Sequence, residues 1–282
     1  MTGYICNLVI PGAAKSGTSS LHDLLDQHPE LNMSKPKEPQ HFSHDHLYRG
    51  GAEAHNALFR SDRPYRYHGE SSQCYMVHPH AMTRIKEHLA SPKIIFVLRD
   101  PVDRLWSQYR WNYRRAVERA PLLQALAERG DDTGYNFNPA IRMYQENGGY
   151  LAFSRYSHWI PLWRETFGDD NVLVLRTRDL QTDPVGTLGT CFAFLDVAPV
   201  DITERPRRNQ TARTNRVPPL LLARMERTMP TAIRRSRPYT ALRWQALRAL
   251  TPIPPDAMSP EEKTRVHEAL REDIAFYEAL AA

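Results

Sequence analysis

The stretch that most constrains the fold is a turn of small residues at 11–20, which lies between two regular patterns. The apolar run at 5–10 predicts a buried strand, and leucines at helical spacing predict a helix over 19–27. The turn carries Gly12 and Gly17. A strand, a small-residue turn and a helix together direct backbone N–H groups and the positive end of the helix dipole at an anion. This stretch therefore predicts an anion-binding loop at the end of a strand.

The two glycines have the spacing of a nucleoside-triphosphate P-loop, but the lysine lies elsewhere. That loop requires a lysine directly after the second glycine. Here Thr18 follows Gly17, and the lysine is Lys15, inside the loop. The chain also has no obvious strand-end aspartate for Mg²⁺, because Asp100 is better explained as a helix N-cap. A P-loop kinase or NTPase is thus the less favoured of two enzyme classes.

A second candidate phosphate-binding segment follows the continuous apolar run at 93–98, which predicts a buried strand. Arg99 ends this strand, and Asp100 is placed as the N-cap of a helix predicted over 101–119. Open α/β sheets bind ligands at the carboxyl ends of their strands. Arg99, with Ser107 two turns along the helix, is therefore predicted to bind a second phosphate.

These two segments resemble those of the sulfotransferases that use 3′-phosphoadenosine-5′-phosphosulfate (PAPS), and most closely the branch of heparan sulfate sulfotransferases and bacterial relatives. The 5′-phosphosulfate loop of that family reads roughly G-x-x-K-[S/T]-G-[T/S]-[T/S]-x-L, and residues 12–21 fit it. Its 3′-phosphate segment reads roughly R-[D/N]-P-x-x-R-x-x-S, and residues 99–107 fit it.

Two further segments strengthen the resemblance, which runs from about residue 5 to about residue 216. Residues 37–42 are similar to the family segment K-E-P-x-x-F. Residues 69–75 are similar to G-E-x-S-P-x-Y, with Gln73 where proline is usual. The order of the four segments is that of the family.

The resemblance implies transfer of a sulfuryl group from PAPS to a hydroxyl group of an acceptor. Lys15 is then expected to stabilise the leaving group, although it could be only a phosphate-binding charge. Glu38 is the candidate general base, against the alternative of a surface carboxylate paired with Lys35 or Lys37. His41 could compete for the role of base, or be an ordinary loop histidine. We expect no metal requirement.

The donor, and its product adenosine 3′,5′-bisphosphate (PAP), are expected to bind through residues of three segments. The candidates are Gly12, Ala14, Lys15, Ser16, Gly17, Thr18 and Ser19 for the 5′-phosphosulfate, Arg99 and Ser107 for the 3′-phosphate, and Arg208 and Arg213 from an arginine-rich stretch at 205–216. That stretch has five arginines in twelve residues and could instead be a solvated face. Together with residues 234–237 it also leaves open a basic nucleic-acid-binding protein, which would not explain Lys15.

Composition fits this interpretation without proving it. A chain of 282 residues is expected to form one domain, with a core at about 5–216 and a helical region at about 217–282. No apolar stretch reaches the ~18 residues of a membrane span, and three scattered cysteines suit a reducing compartment. The animal heparan sulfate enzymes that this chain resembles are membrane-anchored, so the resemblance together with these features leads us to expect a cytoplasmic, bacterial enzyme. The net charge of +5 is mild and fits an anionic ligand as well as it fits nucleic acid. We expect an anionic donor, a small or medium-sized hydroxyl acceptor and no nucleic-acid partner.

Strand and helix patterns alternate along the chain, which predicts an α/β fold. The expected architecture is a P-loop-like three-layer fold, with a central parallel sheet flanked by helices and a helical C-terminal elaboration. The elements predicted are strands at 5–10, 31–34, 65–70, 93–98 and 172–175, and helices at 19–27, 79–89, 101–119, 156–167 and 184–195. A capping box at 259–262 opens a last helix to about residue 281. Arg104 is expected to pair with Asp100 or Asp103 on its own helix.

Overall fold

The computed structural model describes residues 3–114, 118, 120–131, 137–138, 143–144, 149–202 and 255–280. These residues form two compact units. The first unit holds the described residues of 1–104, 153–208 and 270–282, and the second holds those of 105–152 and 209–269. The single domain that the sequence predicts over residues 1–282 stays a prediction.

The strands are β1 (Leu8–Gly12), β2 (Leu31–Met33), β3 (Tyr67–Ser71), β4 (Lys93–Leu98), β5 (Phe137–Asn138), β6 (Met143–Tyr144) and β7 (Val172–Arg176). The helices are α1 (Thr18–Leu25), α2 (Asp45–Tyr48), α3 (Gly51–Asn56), α4 (Pro79–His88), α5 (Pro101–Arg114), α6 (Leu122–Arg129), α7 (Tyr156–Phe167), α8 (Thr177–Thr182), α9 (Pro184–Phe194), α10 (Pro260–Ala269) and α11 (Arg271–Ala279). Short 3₁₀ segments occupy Gln73–Val77, Ala152–Ser154 and Asp169–Asn171.

The first unit is built on a five-stranded sheet in the order β2-β3-β1-β4-β7, in which all pairs are parallel. From β1 the chain passes to β2 and β3 on one side, and then to β4 and β7 on the other. The carboxyl ends of β1 and β4 therefore flank the point where the strand order reverses. Ligands of open α/β sheets bind at such a point.

Helices pack on both faces of this sheet, as the alternation of side chains along β4 shows. Ile95 and Val97 belong to one core cluster with residues of α1 and α9. Phe96, between them, points to the other face and meets Trp163 of α7, with ring centroids 5.5 Å apart. A strand covered on both faces must be apolar throughout, which is why β4 reads as a continuous apolar run. The predicted parallel sheet flanked by helices is confirmed.

The C-terminal helical region departs from the prediction in one respect. The expected single helix from residue 259 to about 281 is wrong, because Leu270 divides it into α10 and α11. Leu270 is fully buried and has a φ of −113°, outside the helical range. The capping box itself is confirmed, since Ser259 and Glu262 exchange hydrogen bonds of 2.7 and 3.2 Å.

Helix α11 is fixed within the first unit by hydrogen bonds to a buried carboxylate, and α5 is shorter than the sequence predicts. Helix α11 packs on α7, where the buried Asp273 accepts hydrogen bonds from the backbone N–H and the hydroxyl of Ser157, at 3.0 and 2.7 Å. The helix predicted over 101–119 is present as α5 but ends at Arg114, and residue 118 is not helical. Among the described residues, no helix combines the length and the apolar character that a membrane span requires.

Candidate active site

The loop between β1 and α1 needs glycine at two positions. A Cβ on Gly12 would lie 2.9 Å from the Cβ of Met76, so a larger residue would push the 3₁₀ segment away from β1. Gly17 has a φ of 97°, in the left-handed region that glycine adopts without steric cost. Lys15, also left-handed with a φ of 64°, lies half-buried between them. The loop thus has the form that the sequence predicts.

Helix α1 begins at Thr18, directly after this loop. The first N–H groups of a helix have no acceptor within the helix, and they carry the positive end of its dipole. Thr18 is buried and Ser19 is partly exposed. Because the loop joins the end of β1 to α1, the backbone and hydroxyl groups of this first turn lie near the carboxyl end of the strand. An anion at this position would meet several donors at once.

Thr177, the first residue of α8, joins this loop to the neighbouring strand. Its Oγ1 lies 2.5 Å from the carbonyl oxygen of Ser16 and 3.0 Å from that of Leu98. The side chain is nearly buried, so these contacts are shielded from water. Thr177 therefore fixes the Lys15 loop against the end of β4, from which Arg99 extends.

The loop after β2 carries Glu38, whose carboxylate is neither exposed nor isolated. Glu38 Oε1 lies 2.7 Å from Lys37 Nζ, and the two side chains are only 19% and 13% exposed. Lys35 pairs elsewhere, with Asp26 at 3.3 Å. The backbone N–H of Glu38 donates to the carbonyl oxygen of Ser71 at 3.0 Å. This bond attaches the loop to the carboxyl end of β3.

His41, the rival candidate for general base, lies on the same loop but is buried. Its Nε2 is 3.1 Å from the hydroxyl of Tyr4. The pKa of His41 is lowered to about 3, mainly by burial and in addition by the charges of His55, Arg84 and His88. The ring is therefore neutral at neutral pH, with one nitrogen already engaged.

Glu70 is a fully buried carboxylate that the sequence did not single out within residues 69–75. One oxygen lies 3.1 Å from His55 Nε2, and the other accepts hydrogen bonds from the hydroxyls of Ser72 and Tyr75, at 3.0 and 3.1 Å. Ligand atoms of Cys6, His55 and Glu70 lie within 4.8 Å of one another, a spacing that suits a metal ion. Both oxygens of Glu70 already have hydrogen-bond partners without one. The expectation that no metal is required stays a prediction.

Arg99 and Asp100 follow β4 as the sequence predicts. Asp100 caps α5, because its Oδ1 accepts from the backbone N–H of Asp103 at 2.9 Å. Arg99 is 36% exposed, and its Nη2 donates to Asp103 Oδ2 at 3.1 Å. Asp103 thus pairs with Arg99, and the expected pairing of Arg104 with Asp100 or Asp103 stays a prediction. Arg104 is fully buried, and its Nε donates to Ser154 Oγ at 2.6 Å.

The remaining candidate donor-binding residues are placed less completely. Ser107 lies partly exposed on α5, in the part of that helix that belongs to the second unit. Arg208 and Arg213 lie outside the described residues. The roles of all three stay predictions.

The first unit therefore brings four predicted segments to one edge of one sheet. The Lys15 loop follows β1, the Glu38 loop follows β2, the segment of Glu70 ends β3, and Arg99 follows β4. Residues 7–218 match the family described as the sulfotransferase domain. This chain belongs to the sulfotransferase family.

Two curated relatives give the degree of similarity. The bifunctional heparan sulfate N-deacetylase/N-sulfotransferase 1 of Mus musculus is 28% identical over 196 residues, which cover 67% of this chain and 22% of that protein. The membrane-associated sulfotransferase kil1 of Dictyostelium discoideum is 32% identical over 277 residues, covering 72% of this chain and 58% of that protein. The chain thus spans less than two thirds of the length of either relative.

Two solved structures share the fold. The crystal structure of a sulfotransferase from Alicyclobacillus acidocaldarius superposes with a TM-score of 0.67 at 23% identity, covering 98% of this chain and 95% of that one. A mouse sulfotransferase complexed with PAP superposes with a TM-score of 0.50 at 16% identity, covering 97% of this chain and 86% of that one. Both likenesses concern the fold alone.

Two residues near this edge of the sheet lie outside the sulfotransferase motifs, Tyr156 and Thr177, whereas Glu70 lies within the segment 69–75 but was given no role of its own. Thr177 could have been found, because it follows a predicted strand at its carboxyl end. Tyr156, at the start of α7, is fully buried. Burial raises the pKa of the Tyr156 hydroxyl, while the positive charge of Arg104 and the hydroxyl of Ser16 act in the opposite direction. Nothing in the local sequence shows that Tyr156 lies beside the Lys15 loop.

Proposed function

We propose that this protein transfers the sulfuryl group of PAPS to a hydroxyl group of a small or medium-sized acceptor. The observation that carries the proposal is the meeting, at the carboxyl edge of one sheet, of three cationic or acidic loops. These are the loop with Lys15 inside it, the loop with Glu38, and the turn with Arg99. A triphosphate-hydrolysing site would need the lysine after Gly17, where this chain has Thr18.

The reaction requires two bond changes and one proton transfer. The acceptor oxygen forms a bond to sulfur as the bond between sulfur and the bridging oxygen of PAPS breaks, and PAP leaves. The hydroxyl proton passes to the carboxylate of Glu38. By analogy with phosphoryl transfer, the attacking and leaving oxygens lie in line and the transition state is loose.

Lys15 is proposed to act on the leaving oxygen. Negative charge grows there as PAP departs, so a fixed ammonium group stabilises the transition state more than the ground state. The sulfuryl group itself carries less charge than a phosphoryl group, which reduces the need for a divalent cation. Lys15 lies half-buried in its loop, and a cation is worth more in such a partly dehydrated position than in open water.

The two ends of the donor are proposed to bind at β1 and β4. The N–H and hydroxyl groups of Ser16, Gly17, Thr18 and Ser19 would hold the 5′-phosphate, with Gly12 and Ala14 allowing close approach of the backbone. Arg99 would hold the 3′-phosphate with Ser107, Arg208 and Arg213. Arg99 and Asp103 are four residues apart, and their ion pair is largely exposed. Replacing the carboxylate by a phosphate as the partner of Arg99 therefore costs little free energy.

The experiment that tests this function is a calorimetric titration of the full chain with PAP, 5′-AMP and Mg-ATP in parallel. We expect PAP to bind at least about tenfold more tightly than 5′-AMP, because each charge-assisted contact to the 3′-phosphate contributes about 1.5–3 kcal/mol. Preference for Mg-ATP would replace the proposal with a kinase-like function. Once PAP binding is established, PAPS is offered with a panel of sugar, phenol, lipid and amine acceptors.

Arg99→Ala is expected to weaken the binding of PAP by about 10- to 100-fold and that of 5′-AMP by less than about threefold, since only PAP carries the 3′-phosphate. The matched control is Arg164→Ala. Arg164 is 40% exposed and pairs with Asp169 at 3.6 Å, but at the amino end of β7, the opposite edge of the sheet. Equal losses of PAP and 5′-AMP in the Arg99 variant would remove Arg99 from the 3′-phosphate site.

A further inference from the structure

We propose that Glu70 is a positioning residue, which holds the Glu38 loop in place through the hydroxyl groups of Ser72 and Tyr75. The effect of Glu70 on turnover rests on the proposed function, whereas its effect on the conformation of the loop does not. Glu70 is fully buried, so it has no surface on which an acceptor could bind. It therefore acts through the groups that surround it.

Two hydroxyl groups connect Glu70 to the backbone of the loop. Ser72 Oγ donates to Glu70 Oε2 at 3.0 Å and accepts from the backbone N–H of Gln40 at 3.0 Å. The Tyr75 hydroxyl donates to the same oxygen at 3.1 Å and accepts from the backbone N–H of Phe42 at 3.0 Å. A hydroxyl has one proton and two lone pairs. Because both hydroxyls donate their hydrogen bonds to Glu70, their lone pairs remain to accept from the N–H groups of the loop.

The protonation of Tyr75 supports this direction of the hydrogen bonds. Burial raises the pKa of Tyr75 well above its ordinary value, and the neighbouring Glu70 carboxylate raises it further. The phenol therefore keeps its proton and remains a donor to Glu70. On the other side of Glu70, His55 is also fully buried, and a proton on its Nε2 completes the set of donors to the carboxylate.

The loop needs such support because its own backbone is unfavourable. Glu38 and Gln40 have φ values of 59° and 54°, in the left-handed region that residues with a Cβ seldom adopt. Such conformations persist where the surrounding structure fixes them. Here the N–H groups of Glu38, Gln40 and Phe42 all donate to the segment that ends β3, and two of the three acceptors are hydroxyls held by Glu70.

Hydrogen exchange measures this support directly and needs no acceptor. In Glu70→Ala, we expect the amides of Gln40 and Phe42 to exchange at least about tenfold faster than in the unmodified chain, while amides of α1 keep their rates. Glu70→Gln is expected to restore most of the protection, because its carbonyl oxygen can still accept from both hydroxyls. Its NH₂ group can donate to Nε2 of His55 when the proton of that ring moves to Nδ1. Ser72→Ala and Tyr75→Phe each remove one of the two hydroxyls that connect Glu70 to the loop. If Glu70→Ala does not fold, the same exchange measurement on these two variants tests the inference.

Turnover then separates positioning from general stability. On an acceptor found with PAPS, Glu70→Ala is expected to lower kcat by at least about tenfold with an unchanged KM for PAPS. Tyr75→Phe in the Glu70→Ala background should add little, since residues in one network are not additive. Asp273→Asn is the matched control. It alters another buried carboxylate of the first unit that accepts from a serine, and it should leave residues 37–42 and kcat unaffected.

Three results would overturn the inference. Unchanged protection of Gln40 and Phe42 in Glu70→Ala would show that Glu70 does not hold the loop. Lost protection with full turnover would show that the loop geometry does not matter for transfer. One equivalent of zinc in the purified chain, lost in Cys6→Ser, would make Glu70 a metal ligand instead. Failure of PAP to bind the unmodified chain would refute the proposed function and leave the exchange result standing.

Discussion

Lys15→Ala is expected to lower kcat by about 10²–10³-fold while the affinity for PAP falls by less than about tenfold. The loss of kcat exceeds the loss of PAP affinity because of where negative charge develops during the reaction. PAP already carries its full charge on the 5′-phosphate, which several backbone and hydroxyl groups of residues 16–19 share in the proposed site. The bridging oxygen of PAPS gains charge only as its bond to sulfur breaks, and Lys15 is the cation proposed to meet it.

The substitution should not disturb the loop itself. Lys15 already has a φ of 64°, and alanine meets the same backbone cost there as lysine does. Lys15→Arg is a useful companion, because its planar guanidinium cannot replace a compact ammonium group at one oxygen. We expect it to recover only part of the lost turnover.

Lys86→Ala is the matched control for the loss of one positive charge. Lys86 is exposed in the last turn of α4, which leads into the amino end of β4, away from the Lys15 loop. Its variant should keep both turnover and PAP affinity. Unchanged turnover in Lys15→Ala would remove Lys15 from catalysis, and equal losses in kcat and PAP affinity would reduce it to a phosphate-binding charge.

Motif spacing and hydrophobic periodicity were enough to predict the sheet and the loops at its edge. The strand at 93–98 and the helix at 156–167 have the bounds that the sequence predicts. Both patterns are local, since a doubly covered strand is apolar throughout and an amphipathic helix repeats every three to four residues. The motifs then placed Lys15 after β1, Glu38 after β2 and Arg99 after β4.

Partners chosen across the fold could not be predicted in the same way. Arg104 has two acidic residues within reach along its own helix, yet its Nε meets Ser154, fifty residues away in sequence. Burial decides this choice, because Arg104 is fully buried beside Ser154, whose Oγ also donates to the carbonyl oxygen of Pro101. Glu70 is a similar case, because a carboxylate in a strand is normally expected to face water. Only its distant partner His55 and the hydroxyls after β3 show why it is buried.

Glu38→Gln is expected to lower kcat for transfer to alcohols by at least about 100-fold, with the affinity for PAP within about twofold of the unmodified chain. Glutamine keeps the shape of the side chain and can still accept from Lys37, so the loop should remain in place. What it loses is the ability to take a proton from the acceptor hydroxyl. Glu53→Gln, an exposed position on α3, is the matched control for the loss of one negative charge.

The structure makes His41 a poor substitute for Glu38. A base must be unprotonated and must reach the acceptor hydroxyl. His41 meets the first condition, because burial lowers its pKa to about 3, but its Nε2 lies against Tyr4 and its side chain is buried. If His41 were nevertheless the base, turnover would not fall as the pH drops from 8 to 5, since the ring stays neutral over that range. Full activity in Glu38→Gln combined with such a flat pH profile would transfer the role of base to His41.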